Sequence, residues 1–417
     1  MSIIKQLKKK ILVDGFHIVA DLEKSYGSWL VHAETGNKYL DCYSQFASQP
    51  VGWNHPSLVQ QKDKLDASSL HKIANSDMYT NQYADFVESF SSITPDFDHY
   101  FFVSGGALGI ENALKAAFDW KCQVNKVFQK SDGQDLDVVH LKEAFHGRSG
   151  YTLSLTNTGS IKTKWFPKFN WTRINNPKIT FPLNKKEVKK VEDESLLQAE
   201  VALKRGNVAA VIIEPVQGEG GDNHFRKRYM RKLRSLTLEY DSMLIMDEVQ
   251  TGFGLTGKMW SYEHFDIVPD MMCFGKKTQV CGFCSTKRID KVKKNVFKQS
   301  GRINSTWGGN IVDMVRCDIY IDILKKEKLV NNAKKIGNKF QKVLKELNSS
   351  EISNVRGKGL MLAFDLSTVE KRDEMVENLS EKMLVLKCGE KSIRFRPHLT
   401  FNQDDLNHAE KFINEVI

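Results

Sequence analysis

Between residues 97 and 274, short apolar runs alternate with amphipathic stretches, and this alternation limits the possible folds more than any other feature of the chain. The runs at 97–103, 136–141, 208–213, 243–246 and 271–274 read as buried strands, being short and rich in β-branched, aromatic or Met residues. Between them, 108–120, 195–205 and 224–240 carry apolar residues at helical spacing. Such alternation predicts an α/β domain around a largely parallel sheet. Ligands of such sheets gather at the carboxyl ends of the strands. The residues just after each run are therefore the first candidates for a site.

Beyond 311 the texture changes. Two long helical patterns, 312–324 and 331–347, precede strand-like segments at 359–366, 383–387 and 392–396, and a final helix is expected over 404–416. This predicts a smaller α+β domain, with the β-rich stretch 21–48 packing against it. The expected division is an N-terminal segment 1–55, a large domain 56–310 and a small domain 311–417. A chain of 417 residues has room for both cores.

Composition removes several classes of function. With 41% hydrophobic and 27% charged residues the chain is an ordinary globular one. The net charge of +10 comes from lysines scattered over amphipathic stretches such as 331–345, which read as solvated faces. Nucleic-acid binding is not expected. No run approaches the roughly 20 apolar residues of a membrane span, and the Lys-rich start at 1–12 leads into no signal-peptide core. Seven cysteines, odd in number and irregular in spacing, predict reduced thiols and a cytoplasmic protein. Cys281 and Cys284 have C-x-x-C spacing without a second ligand pair or a redox context, so apolar packing is expected and no metal site.

The run from Met243 ends in Asp247-Glu248-Val249-Gln250-Thr251-Gly252. A carboxylate at the end of a buried strand requires a cationic or hydrogen-bonding partner, and a protonated pyridine nitrogen is one. A second run ends in Phe274-Gly275-Lys276-Lys277-Thr278. A lysine shielded at a strand end suits Schiff-base chemistry, because its pKa moves readily there. Together the two point to pyridoxal phosphate. Ser104-Gly105-Gly106-Ala107, between a strand and a helix, offers backbone amides to a phosphate. Phe145-His146-Gly147-Arg148 places an aromatic ring and a guanidinium after another strand, one able to stack and the other to fork a carboxylate. The segments 214–221 (E-P-V-Q-G-E-G-G), 304–309 (N-S-T-W-G-G) and 393–397 (I-R-F-R-P) complete the set, and the last puts Arg394 and Arg396 on one face of a strand.

These segments, in this order, resemble the class III (ω-amino) aminotransferases of fold type I, from about Tyr39 to the C-terminus. In that family a lysine follows the motif aspartate by 29 residues, which selects Lys276 over Lys277. The segments 274–282 (F-G-K-K-T-Q-V-C-G), 304–310 (N-S-T-W-G-G-N) and 254–257 (G-L-T-G) resemble the branch acting on the ε-amine of L-lysine. Branches using 4-aminobutyrate or ornithine are the nearest rivals, the former sharing R-F-R-P and N-T-W.

The resemblance implies a role for each matched residue. Lys276 is expected to hold pyridoxal 5'-phosphate and to shuttle a proton, Asp247 to face the pyridine nitrogen, and Gln250 to bond the ring hydroxyl. Phe145 is expected on the ring face with His146 beside the cofactor, and Gly106 and Ala107 at the phosphate. Thr306 and Asn304 are expected to reach that phosphate from the second subunit of a homodimer. Arg148 would take the remote carboxylate of either substrate, L-lysine or 2-oxoglutarate. Arg394, with Arg396 as the alternative, would take the carboxylate nearest the cofactor. Glu219 would pair with Arg394 whenever that carboxylate is absent.

Two rivals of other classes are set aside. Residues 252–257 match G-x-G-x-x-G, the fingerprint of a nicotinamide-dependent dehydrogenase, but no acidic residue follows in the required place. A protein that kept the fold and lost the chemistry would not be expected to keep Lys276, Asp247, Gln250 and both arginine motifs together.

Overall fold

The structure is a computed structural model and describes residues 2–126, 133 and 135–417. A seven-stranded sheet occupies the middle of the chain. Its spatial order is His99–Val103, Cys281–Ser285, Met271–Phe274, Met243–Asp247, Val208–Ile213, Asp137–Leu141 and Arg173–Ile174. The last five run parallel, and Cys281–Ser285 lies antiparallel between Met271–Phe274 and His99–Val103. Val208–Ile213, Met243–Asp247 and Met271–Phe274 are buried along their whole length, as strands covered on both faces must be. Leu244 and Met246 join one apolar core while Met243 and Ile245 join the other, the period-two signature of a sheet between two layers. The expected α/β class and mostly parallel sheet are both present.

A four-stranded antiparallel sheet follows, ordered Ile352–Lys358, Met361–Leu366, Ser392–Phe395 and Leu386–Cys388. The N-terminal hairpin of Trp29–Val31 and Lys38–Asp41 is extended by Met383–Leu384, which pairs parallel to Lys38–Asp41. The two ends of the chain thus share a sheet. The 383–387 run divides at Val385, its first part joining the hairpin and its second the four-stranded sheet.

Several elements differ from expectation, three of them for plain physical reasons. The helix expected over 195–205 spans Lys185–Leu203, because Asn184 caps it by accepting from the amides of Lys186 and Glu187. Its early turns are almost wholly charged, so they show little apolar period. Cys281–Ser285 was not anticipated; its C-G-F-C-S composition gives no β-branched signal. Ile352–Lys358 escaped notice because it is mostly half-exposed and polar.

Candidate active site

A cavity of ≈ 280 Å³ opens at the carboxyl ends of the parallel strands. Asp247 closes its floor as the last residue of a fully buried strand. One carboxylate oxygen accepts from His146 Nδ1 at 2.8 Å, the other from the Val249 amide at 3.1 Å. Each oxygen has a further lone pair for a donor in the cavity. His146 is buried with its Nε2 unpaired, so the bond to Asp247 fixes its ring orientation.

Lys276 follows Met271–Phe274 in a left-handed backbone conformation (φ 55) and lines the same cavity. Its Nζ forms no hydrogen bond to protein among the described residues. Burial pushes its pKa down to about 8, helped by the charge of Arg394 and opposed by that of Asp247. A neutral amine is therefore accessible near physiological pH. Lys277 is buried too, but its Nζ donates to the carbonyls of Gln250 at 2.7 Å and Ala47 at 3.2 Å. The two adjacent lysines thus differ completely in what they face.

Gly105 (φ 110) turns the chain into the helix Gly106–Val124, whose first residues, Gly106 and Ala107, line the cavity. The free amides of that first turn and the helix dipole suit a phosphate. Gly147 lets the Phe145 loop press onto this turn, since a Cβ there would sit 2.6 Å from that of Ala107. Phe145 lines the cavity, and its amide donates to Glu214 at 2.9 Å. Burial raises the Glu214 pKa to about 7, with His146 pulling the other way. Gln250 also lines the cavity and accepts from Arg396 through its side-chain oxygen at 3.2 and 3.1 Å. Its amide nitrogen is left to donate.

Arg394 and Arg396 have different surroundings. Arg394 is 3% exposed; it donates to Glu219 at 2.7 Å, and its Nε and Nη1 are buried without partners. Two unsatisfied guanidinium nitrogens in a shielded site call for an anion. Arg396, in contrast, has every nitrogen committed. It forms a two-pronged pair with Asp222 and also donates to Gln250 and to the carbonyls of Leu362 and Phe395. It was expected as the alternative carboxylate clamp; in this structure its guanidinium donors are all engaged by protein, and its contact with the cavity-lining Gln250 is through these bonds.

Arg148, Asn304 and Thr306 are exposed and do not line the cavity of their own chain. Sequence reasoning missed several contributors. Glu214 stood inside a quoted motif without a role. Lys162 donates to the second oxygen of Glu219 at 2.5 Å, and no motif surrounds it. Asp222 bears on Gln250 only through Arg396, and Lys277 holds the Gln250 main-chain carbonyl. Ser44–Ala47 forms a turn with all four residues at positive φ, beside Tyr43, whose hydroxyl burial pushes up to about 12. Without a glycine, this turn gave no sequence signal. Residues 252–257 form turns, with Gly254 and Gly257 at positive φ, and no α-helix begins there. The dinucleotide reading lacks the helix N-terminus it requires.

A buried amine, a carboxylate with free acceptor positions at the neighbouring strand end, and an anion-binding helix start across one cavity make a site that fits pyridoxal phosphate. Comparison with known proteins agrees. The aminotransferase class-III profile matches residues 13–417. An L-lysine-epsilon aminotransferase of Mycobacterium tuberculosis is 44% identical over 97% of this chain and 92% of its own length. The mitochondrial 4-aminobutyrate aminotransferase of Mus musculus is 32% identical over 99% of this chain and 87% of its own. A solved lysine aminotransferase from M. tuberculosis, in the internal aldimine form, superposes with a TM-score of 0.96 at 43% identity, covering 100% of this chain and 98% of that one. The chain belongs to the class-III aminotransferases, enzymes dependent on pyridoxal phosphate.

Proposed function

We propose that the protein moves the ε-amino group of L-lysine to 2-oxoglutarate, giving 2-aminoadipate 6-semialdehyde and L-glutamate in two alternating half-reactions. The observation that carries this reading is the pair of buried, unpartnered nitrogens on Arg394 beside its bond to Glu219. L-Lysine brings its ε-amine to the cofactor with no carboxylate nearby, and Glu219 then satisfies Arg394. 2-Oxoglutarate brings a carboxylate next to its reacting carbon, and Arg394 is free to fork it once Glu219 withdraws. Greater similarity to the lysine enzyme than to the 4-aminobutyrate enzyme supports lysine as donor.

In this reading Lys276 and Asp247 are the catalytic pair, with Glu219 switching between half-reactions. When bound, pyridoxal phosphate supplies an electron sink that makes a proton at the reacting carbon labile. Lys276 Nζ would be the group that accepts and returns that proton, and its depressed pKa suits both directions near neutrality. When the cofactor is bound, Asp247 would accept from its ring nitrogen, Gln250 would donate to its ring hydroxyl, Phe145 and His146 would line its ring, and Gly106 and Ala107 would hold its phosphate. Arg148 faces the remote carboxylate. Asn304 and Thr306, exposed here, complete the phosphate site of a second copy, making the working unit a homodimer. No helix among the described residues is long and apolar enough to cross a membrane, and the seven cysteines fit a cytoplasmic setting.

The test is the first half-reaction alone. L-Lysine, ornithine and 4-aminobutyrate are each added to the yellow holoenzyme without 2-oxoglutarate, and loss of colour is followed. Lysine should bleach it at far lower concentration than the others. Preference for another amine overturns the substrate, while a protein that never becomes yellow overturns the cofactor site.

A further inference from the structure

Glu219 does not face Arg394 alone. Its Oε2 accepts from Arg394 at 2.7 Å and its Oε1 from Lys162 Nζ at 2.5 Å, so one carboxylate bridges two cations. The cations are not alike. Arg394 is 3% exposed and fixed on the strand Ser392–Phe395, whereas the Lys162 side chain is 26% exposed and sits at the end of the short turn Ser160–Lys162. Lys162 also donates to Thr158 at 3.2 Å and holds its ammonium 5.5 Å from the centre of the Phe145 ring. That places it behind two residues that line the cavity, Phe145 and Glu219, with its charge directed at Glu219.

A switch between Glu219 and a substrate carboxylate has a physical difficulty. Once Glu219 leaves Arg394, its carboxylate must still be compensated in a largely buried place, or its withdrawal is costly. We propose that Lys162 is the positioning residue that solves this: it retains Glu219 when Arg394 binds a substrate carboxylate, so that half of the bridge opens while the other half stays closed. Burial alone would raise the Glu219 pKa, yet Arg394 and Lys162 together keep it lowered, so the carboxylate stays charged and mobile between them. The proposal rests on the two-substrate reading above and assigns it a residue carrying no motif signal.

The inference concerns the dicarboxylate specifically. Lys162→Met should weaken binding of glutarate, an unreactive dicarboxylate of the right length, by about tenfold, the scale of a charge-assisted hydrogen bond. Calorimetry on the holoenzyme measures this directly. In stopped-flow half-reactions, the apparent affinity for 2-oxoglutarate should fall by a similar factor, with the maximal rate and the lysine half-reaction changing less than about threefold. Lys162→Arg should restore most of the loss. In a Glu219→Gln background, Lys162→Met should have no further effect, because no carboxylate then needs holding. Equal losses in both half-reactions, or an undiminished Lys162→Met effect in the Glu219→Gln background, would overturn the proposal. Arg394→Ala, run in parallel, separates the two levels. If it spares the 2-oxoglutarate half-reaction the two-substrate reading fails; if it impairs that half selectively while Lys162→Met does nothing, only the role of Lys162 fails.

Discussion

Asp222→Asn tests whether the site is held from behind by a buried charge pair. Asp222 is fully buried and Arg396 is 1% exposed, and the two form a two-pronged contact with one arm at 2.8 Å. Asp222 has φ 51, a conformation that Asn tolerates as well as Asp does, so the substitution removes charge without adding backbone strain. Breaking a buried pair from one side typically costs about 3–5 kcal/mol, because the remaining ion is left uncompensated. Arg396 would keep its carbonyl partners and Gln250, and the new amide could still accept one bond. The lower end, about 3 kcal/mol, is therefore expected. That is a large share of the roughly 5–15 kcal/mol that holds a typical domain together. Urea unfolding of the holoenzyme, followed by both circular dichroism and cofactor absorbance, measures it. Adding Arg396→Met should recover about half of the loss by removing the stranded charge. Cofactor affinity should fall most in the double variant, where Gln250 loses the guanidinium that fixes its amide, and less in Asp222→Asn alone, where Arg396 still donates to Gln250. A loss under about 1 kcal/mol for Asp222→Asn would refute the reasoning.

Two further outcomes are expected. Apoprotein should take up pyridoxal phosphate at a rate that climbs with pH through a midpoint near 8, since Lys276 must be neutral to react. The sign follows from its lowered pKa: the folded state binds fewer protons than the unfolded chain between about pH 8 and the ordinary lysine range, so the same group adds stability as pH rises across that window. A midpoint near the ordinary lysine pKa would show that burial does not act on it. Co-expressed Lys276→Ala and Thr306→Ala chains should regain activity that neither homodimer has, because one site of the hybrid receives native residues from both copies; no recovery in a purified hybrid would remove Thr306 from the partner's site.

How far the sequence discloses this molecule depends on where the information lies. Val208–Ile213 and Met271–Phe274 were legible to the residue, because a strand buried on both faces must be apolar throughout. The cavity residues Asp247 and Lys276 were legible for a related reason: they are polar groups at the carboxyl ends of such strands, one the last strand residue and the other two positions beyond, where burial without a partner would be costly. Helix Asn81–Ser91 and strand Cys281–Ser285 were not, since their partners rather than their own composition decide them. Lys162 and Glu219 are 57 positions apart and Asp222 and Arg396 are 174 apart. No local pattern encodes either pair.

The two arginines of R-F-R show the limit most clearly. Period-two logic places Arg394 and Arg396 on one strand face and leaves them equivalent as carboxylate clamps. The strand stops at Phe395, however, and Arg396 passes its backbone amide to the Cys42 carbonyl at 2.7 Å. From there its guanidinium meets Asp222, a residue that follows the same glycine-rich turn as Glu219. The turn thus supplies one carboxylate to each arginine, on unequal terms. Asp222 is fully buried and offers both oxygens, so Arg396 is held in place. Glu219 is 27% exposed and shares its oxygens between Arg394 and Lys162, the arrangement the proposed release of Arg394 requires. Identical side chains two positions apart thus differ in setting, Arg396 being a fixed support for Gln250 and Arg394, in the proposed reading, the clamp that opens; the difference lies in what their carboxylates do with the other oxygen.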